Sequence, residues 1–368
     1  MKILIGSFFE MTRIALKFDT ASGFSHVVGI GGIGSGVLFK LDGDHTIGRD
    51  ESRLGQLLPA RDFCKLHIVE HYIATLMGSG KTADACEVLA IGVIGEDAVG
   101  RQLKQEMENA GIGTEWVRAT ADRPTLFSVS FLYPDGAGGN ITANNSAASA
   151  LDMDDIHRGE KVMAAAARRC VALCLPEVPL EIRHEFLKLA TRCGNFRAAS
   201  FALSEIQAAN ELGLLSMVDL LALNREEAAG LVGYEYSAQN QQQFLLDCAS
   251  ILRKMQPGIR IVISAGAEGA HAFEHGSWSS GPAPATQVIS TAGAGDALLA
   301  GVLSGLASGL PLNAKPSVKG ATIDGIFSSA MDIGMLLASF SVTSPDTIHF
   351  GANLAMLEEY ASTLNPVS

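Results

Sequence analysis

The sequence predicts an α/β fold, with a central, mainly parallel sheet covered by helices on both faces. Three observations carry that expectation. Short apolar runs at 171–175, 217–222 and 259–264 read as buried strands. Helical stretches lie between and around them, at about 180–192, 226–232 and 240–255. No repeat or low-complexity linker breaks the alternation. Strands separated by helices need crossover connections, and crossovers make a parallel sheet buried on both sides.

Residues 1–26 have no clean periodicity and read as an extension ahead of one domain spanning 27–368. The glycine-laced apolar run 27–39 reads as a buried strand, and the chain is polar from 40 to 62. A helix is expected over 64–77, a strand near 88–95, and a helix over 98–110 that stops at Gly111. Phe127, Val129 and Phe131 alternate with other positions, and Tyr133-Pro134-Asp135-Gly136 is a turn, so a β-hairpin is expected there. Val288 and Ile289 read as the end of a further strand. Leu298, Leu299, Val302, Leu303 and Leu306 then recur at helical spacing over 296–309, and a last helix is expected over 323–340.

Composition excludes several classes of function. Hydrophobic residues are 48% and charged residues 18%, which suits a packed globular chain and not a disordered one. A formal charge of -12 repels nucleic acid and anionic membrane at long range, although one local pocket can still hold a small anion. Six cysteines in 368 residues are too few for a disulfide framework, and Cys170 and Cys174 lack a second pair to complete a zinc site. All six are expected as reduced thiols. Glu10 and Arg13 interrupt the apolar opening too soon for a signal-peptide core, and 27–39 falls short of the roughly 18 residues that span a bilayer. A soluble cytoplasmic protein is the expectation.

The most informative stretch is Ser290-Thr291-Ala292-Gly293-Ala294-Gly295-Asp296, a small-residue turn that opens a helix. Such a turn presents free backbone N–H groups and the positive end of the helix dipole, which together hold an anion. A carboxylate at that place is unsuited to anion binding alone. It makes sense where Asp296 touches a second group, such as a substrate hydroxyl, while the N–H groups of 293–296 hold a phosphate. That is the geometry of phosphoryl transfer to an alcohol.

Two other glycine motifs fail on context. Gly29-Ile-Gly31-Gly-Ile-Gly34 fits the dinucleotide fingerprint, but no helix opens where the pyrophosphate would need one. Gly78-Ser-Gly80-Lys81-Thr82 resembles the end of a phosphate-binding loop, yet Thr75 stands where that loop needs glycine.

Five segments in order resemble the ribokinase (PfkB) family of small-molecule kinases, over roughly 27–350. Gly92-Val-Ile-Gly95-Glu-Asp97-Ala-Val-Gly100 is similar to its G-x-x-G-x-D-x-x-G segment. Arg123-Pro124-Thr125, leading through a strand to Asp135-Gly136, is similar to its lid hairpin. Asn224-Arg-Glu-Glu227 matches its N-x-x-E motif, and Ser264-Ala-Gly266-Ala-Glu-Gly269 resembles its nucleotide-binding turn. Thr291 to Asp296 resembles its D-T-x-G-A-G-D signature.

The resemblance implies a ribokinase-like three-layer sandwich with a small β-lid from about 36–62 and 123–145. It implies ATP- and Mg²⁺-dependent phosphorylation of a hydroxyl on a small sugar-like or nucleoside acceptor. Asp296 is then the base, Gly293, Ala294 and Gly295 the anion hole, and Asn224, Ser264, Gly266, Gly269 and Thr291 nucleotide contacts. Glu227 would hold Mg²⁺ through water. The plainer alternative makes Asn224 a helix cap and Glu227 its capping-box partner, and the two roles are compatible.

The chain also departs from the family. Ser290 replaces the acid that opens the signature and helps form a monovalent-cation site, which puts potassium activation in doubt. The best match to the acceptor-gripping aspartate of the first strand is Gly36, and the G-G-x-x-x-N element is missing. Asp42, Asp44, His45, Arg49, Glu51 and Arg53 are the candidate replacements, with a solvated charge run as the plainer reading, and Arg49 and Arg53 suggest an acceptor that already carries negative charge. A homodimer through exposed lid edges is compatible with this reading. A catalytically silent nucleotide- or metabolite-binding member and an NAD(P)-linked oxidoreductase are the alternatives.

Overall fold

Alternate side-chain direction along the strands builds two cores, one on each face of the sheet. In the computed structural model, which describes residues 23–81, 85–135, 138–313 and 329–364, Val27 and Val28 point into opposite hydrophobic clusters. Most of the expected extension, Thr82, Gly136 and residues 323–328 of the expected last helix lie outside the described residues.

The chain begins with β1 (His26–Ile30), β2 (Gly34–Leu41), β3 (Gly55–Leu57), β4 (Asp62–Phe63) and α1 (Lys65–Met77). β5 (Glu87–Gly95), α2 (Ala98–Ala110) and β6 (Ile112–Thr120) form a crossover unit, followed by the hairpin β7 (Leu126–Leu132) and β8 (Gly138–Thr142). Two short helices, α3 (Met153–His157) and α4 (Glu160–Ala166), lead to β9 (Cys170–Cys174) and α5 (Leu180–Cys193). Then come β10 (Phe196–Ser200), α6 (Ile206–Glu211), β11 (Leu220–Asn224), α7 (Arg225–Val232), α8 (Gln241–Met255) and β12 (Arg260–Ser264). A second hairpin, β13 (Ala270–Glu274) and β14 (Ser277–Gly281), precedes α9 (Ala294–Ala307), α10 (Ala330–Ser341) and α11 (Leu354–Thr363).

Among the described residues, nine strands form a sheet in the order β14-β13-β12-β11-β10-β9-β1-β5-β6. Every pairing from β12 to β6 along that order is parallel, and the β12–β13 and β13–β14 pairings are antiparallel. α1, α2, α9, α10 and α11 cover one face, and α5, α6, α7 and α8 contribute to the core on the other. Two-sided burial explains why β9 reads as an uninterrupted apolar run with all five residues buried. The fold is a three-layer α/β sandwich with a second, smaller sheet.

The expected strand over 27–39 is two strands in different sheets. β1 lies in the large sheet, whereas β2 belongs to a five-stranded sheet with β3, β4, β7 and β8. The glycines between them have a steric cause: a Cβ on Gly31 would meet Leu66 and Leu175 at 3.0 and 3.1 Å, and one on Gly32 would meet Glu177 at 2.5 Å. A strand follows this glycine run, so the dinucleotide fingerprint has no helix to work with.

Val288 and Ile289 correct another expectation. They are exposed and outside any strand, held by a bond from the Ile289 N–H to the Val342 carbonyl at 2.8 Å. Apolar character there serves a cleft wall, since Val288 lines one. Strand β10 escaped the sequence reading because Arg197 breaks its apolar run, and Asp219 satisfies that arginine at 2.7 and 2.8 Å.

Candidate active site

Two glycines in the turn before and within α9 meet different demands. Gly293 caps the helix at φ 79, and a Cβ there would lie 2.4 Å from the Thr347 carbonyl oxygen, so the turn closes only without a side chain. Gly295 faces room: the nearest atom to a Cβ would be Ser264 Oγ at 3.8 Å. The Ala294 N–H bonds the Thr291 carbonyl at 3.3 Å, and the Ala297 N–H starts the helical ladder onto Gly293. Between them, the N–H groups of Gly295 and Asp296 belong to the first turn, which lacks intrahelical acceptors. Of the anion-hole positions, Gly293 and Gly295 line the pocket at this turn, while the Ala294 N–H is engaged in shaping it.

Asp296 stands where two cavities meet. It lines a pocket of 230 Å³ with Asn224, Glu227, Ser264, Gly293 and Gly295, and a larger cleft of 1240 Å³ with Asp62, Ser128, Ser130 and Glu177. Its side chain is 14% exposed, and Lys65 Nζ lies 3.2 Å from Oδ1. Asp296 first, then Glu227 and Glu177, hold the Lys65 ammonium above the ordinary lysine range against the effect of burial.

Asn224 and Glu227 form the capping box that the plainer reading anticipated. Asn224 Oδ1 accepts from the Glu227 N–H at 2.7 Å, and Glu227 Oε2 accepts from the Asn224 N–H at 2.8 Å. Burial raises the Glu227 carboxyl above its usual range, with Lys65 opposing. The box fixes both side chains at the carboxyl end of β11, where open α/β sheets place ligands. Ser264, Gly266, Gly269 and Thr291 line an adjoining cleft of 490 Å³ whose far wall is apolar, with Val288, Met335 and Val342. Gly269, at φ 98, is obligatory, because a Cβ would fall 2.0 Å from the Gly281 carbonyl oxygen. Ser290 is buried, and its hydroxyl accepts from the Ala292 N–H at 3.3 Å.

The acceptor-side candidates fare differently. Gly36 pairs in register with Asp62 of β4. A Cβ on Gly36 would meet Ser128 Oγ at 2.3 Å and Asp62 Oδ2 at 2.9 Å. Gly36 of β2 therefore leaves the space that the Asp62 carboxylate of β4 and the Ser128 hydroxyl occupy. Ser130 donates to Asp62 Oδ2 at 2.7 Å and Ser128 at 3.3 Å, and burial raises this carboxyl while those hydroxyls offset part of the rise. Asp42, Arg49 and Arg53 do not line the cleft. Asp42 and Arg49 are exposed, and Arg53 is spent on Glu51 at 2.6 Å and the His45 carbonyl at 2.6 Å.

Sequence reading also missed Glu177, which follows the carboxyl end of β9. Its φ is 76, and Oε2 is sealed from solvent without a hydrogen-bond partner. Burial pushes its carboxyl up to about 7, Lys65 and Cys64 oppose, and Asp296 and Asp62 add to the rise. The rule that ligands gather at strand carboxyl ends was the available signal.

A model of the pfkB family carbohydrate kinases matches residues 72–349. The chain belongs to this family. It is 26% identical over 232 residues to the bifunctional protein HldE of Methylobacillus flagellatus, covering 60% of this chain and 44% of that protein. It is also 26% identical over 219 residues to the ribokinase of Arabidopsis thaliana, covering 57% of this chain and 54% of that protein. The chain thus matches about half the length of these curated relatives. Among solved structures, the ribokinase of Giardia lamblia superposes with a TM-score of 0.72 at 16% identity, covering 91% of this chain and 99% of that one. The Arabidopsis ribokinase complexed with ribose and ATP superposes at 0.65 and 18% identity, covering 93% and 100%. These superpositions show the fold.

Within this pfkB-family chain, the G-x-x-G-x-D-x-x-G segment is architectural. Asp97 accepts from the Gly100 N–H at 2.7 Å, capping α2, and from the Thr125 N–H and hydroxyl at 2.8 and 2.7 Å. It thereby ties the large sheet to β7. Gly100 is required because a Cβ would fall 2.5 Å from the Gly95 carbonyl oxygen. All six cysteines are free thiols, five of them buried. Among the described residues, no helix is long and apolar enough to cross a membrane.

Proposed function

We propose that this chain transfers the γ-phosphoryl group of ATP to a hydroxyl of a small sugar-like or nucleoside acceptor. One observation carries the reading: Asp296 lies in the first turn of α9 and faces both the small pocket and the 1240 Å³ cleft. In this reading the 490 Å³ cleft takes the nucleotide, with Val288, Met335 and Val342 against the base and Ser264, Gly266, Gly269, Thr291 and Asn224 along the sugar and phosphates. The N–H groups of Gly295 and Asp296 meet the terminal phosphate. Asp296 takes the acceptor proton as the acceptor oxygen attacks phosphorus. A base of ordinary strength suffices, because a loose transition state releases that proton late.

Glu227 is the residue proposed to hold Mg²⁺ through water, since Oε2 is tied to the Asn224 N–H and the side chain lines the small pocket beside Asp296. When bound, the ion neutralises charge on the phosphates. Ser290 brings no charge to the turn, so potassium activation is not part of the proposal. Asp62 is the proposed grip on acceptor hydroxyls, and the small sheet over the cleft is the proposed lid that keeps water out.

A coupled ADP assay over pentoses, hexoses, nucleosides and vitamin-like alcohols tests the reading. Acceptor-dependent ADP formation is expected. ATP binding without turnover on any acceptor would favour a catalytically silent member of the family.

A further inference from the structure

Lys65 opens α1 and lines both cavities that meet at Asp296. Among the described residues lining the two, it is the one cation. Around it stand the carboxylates of Asp62, Glu177, Glu227 and Asp296. A polyphosphate entering this space meets negative charge on every side except at Lys65 and the backbone of the α9 turn.

Pairing with Asp296 alone does not account for the lysine. A third of its side chain remains accessible, so the pair with Asp296 does not seal the ammonium off. An ammonium also has three N–H donors, and the 3.2 Å contact with Asp296 Oδ1 occupies one. The remaining donors border the pocket that Gly293, Gly295 and Asn224 complete.

Resting on the kinase reading above, we infer that Lys65 is a catalytic cation, bridging Asp296 and the transferring γ-phosphoryl group. The bond from acceptor oxygen to phosphorus forms as the bond from phosphorus to the bridging oxygen of ADP breaks. The electron pair leaves on ADP, the acceptor proton passes to Asp296, and Lys65 keeps its proton throughout. Asp296, Glu227 and Glu177 secure that last condition by favouring the charged ammonium.

The test compares Lys65→Met and Lys65→Arg with the wild type. Calorimetry with Mg²⁺ measures affinity for a non-hydrolysable ATP analogue and for ADP, and thermal unfolding checks that each variant folds. Lys65→Met is expected to lose about tenfold in analogue affinity with ADP affinity unchanged, and about 10²–10³-fold in kcat. Lys65→Arg is expected to recover part of both. Should Lys65→Met not fold, Lys65→Gln carries the same readout. Equal weakening of analogue and ADP, or no weakening of either, would overturn the inference, because a lysine that only positions Asp296 does not sense the γ-phosphate. A wild-type protein that binds neither nucleotide would instead overturn the kinase reading and this inference with it.

Discussion

The turn before α9 and the wall of the large cleft meet at Asp296, yet they are built from different materials. The turn is mostly backbone. Gly293 adopts a left-handed conformation against Thr347, Gly295 leaves space, and the helix start supplies unpaired N–H groups. The cleft wall is side chains gathered from separate elements: Asp62 from β4, Lys65 from α1, Ser128 and Ser130 from β7, and Glu177 beyond β9. A backbone site tolerates few substitutions, because its atoms are fixed by chain geometry. A side-chain site instead depends on tertiary pairing, as where Asp62 of β4 lies opposite Gly36 of β2 here.

The contrast can be broken first at Gly295. Gly295→Leu fills the open space beside Ser264 without a left-handed backbone, so thermal stability should hold while nucleotide affinity falls by about 10²-fold or more. A matched loss of stability would mean that Gly295 is architectural like Gly293. Next comes Asp62→Asn, expected to lower kcat/KM for the acceptor about tenfold to a hundredfold with KM for ATP unchanged. A raised KM for ATP would show that the two halves of the site are not separable.

Glu177 gives a smaller, pH-dependent effect. Its carboxyl is raised from 4.5 to about 7, so the folded chain holds a proton that the unfolded chain releases earlier. Native stability conferred by that proton is full below about 4.5 and is lost as pH rises through about 7. Glu177→Gln should remove this loss, on the order of 3 kcal/mol, in denaturant titrations at several pH values. Parallel pH profiles for the two chains would contradict it. Arg53→Ala should be the mildest change, leaving kcat/KM within about twofold, because this arginine binds Glu51 and His45 and not the cleft.

This division also explains what could be read from the sequence. A backbone site is contiguous, so Thr291 to Asp296 and Asn224 to Glu227 stand out as short motifs, and so do the alternating strands and helices of the large sheet. The cleft wall is assembled only when β4 pairs with β2 and α1 packs beside α9, and nothing local marks Asp62 or Lys65 as neighbours of Asp296. The charged run around Arg49 and Arg53 drew attention by composition, yet Glu51 neutralises Arg53 within its own loop. The strand 27–39 was misread because a buried strand and a glycine-rich crossing between sheets look alike without knowledge of what packs against Gly31 and Gly32.

The most direct measurement is Asp296→Asn, with turnover and nucleotide affinity determined on the same preparation. Loss of about 10²–10⁴-fold in kcat, with ATP bound as tightly as by the wild type, is the expected result. Wild-type kcat in that variant would contradict the assignment of Asp296 as the base between donor and acceptor.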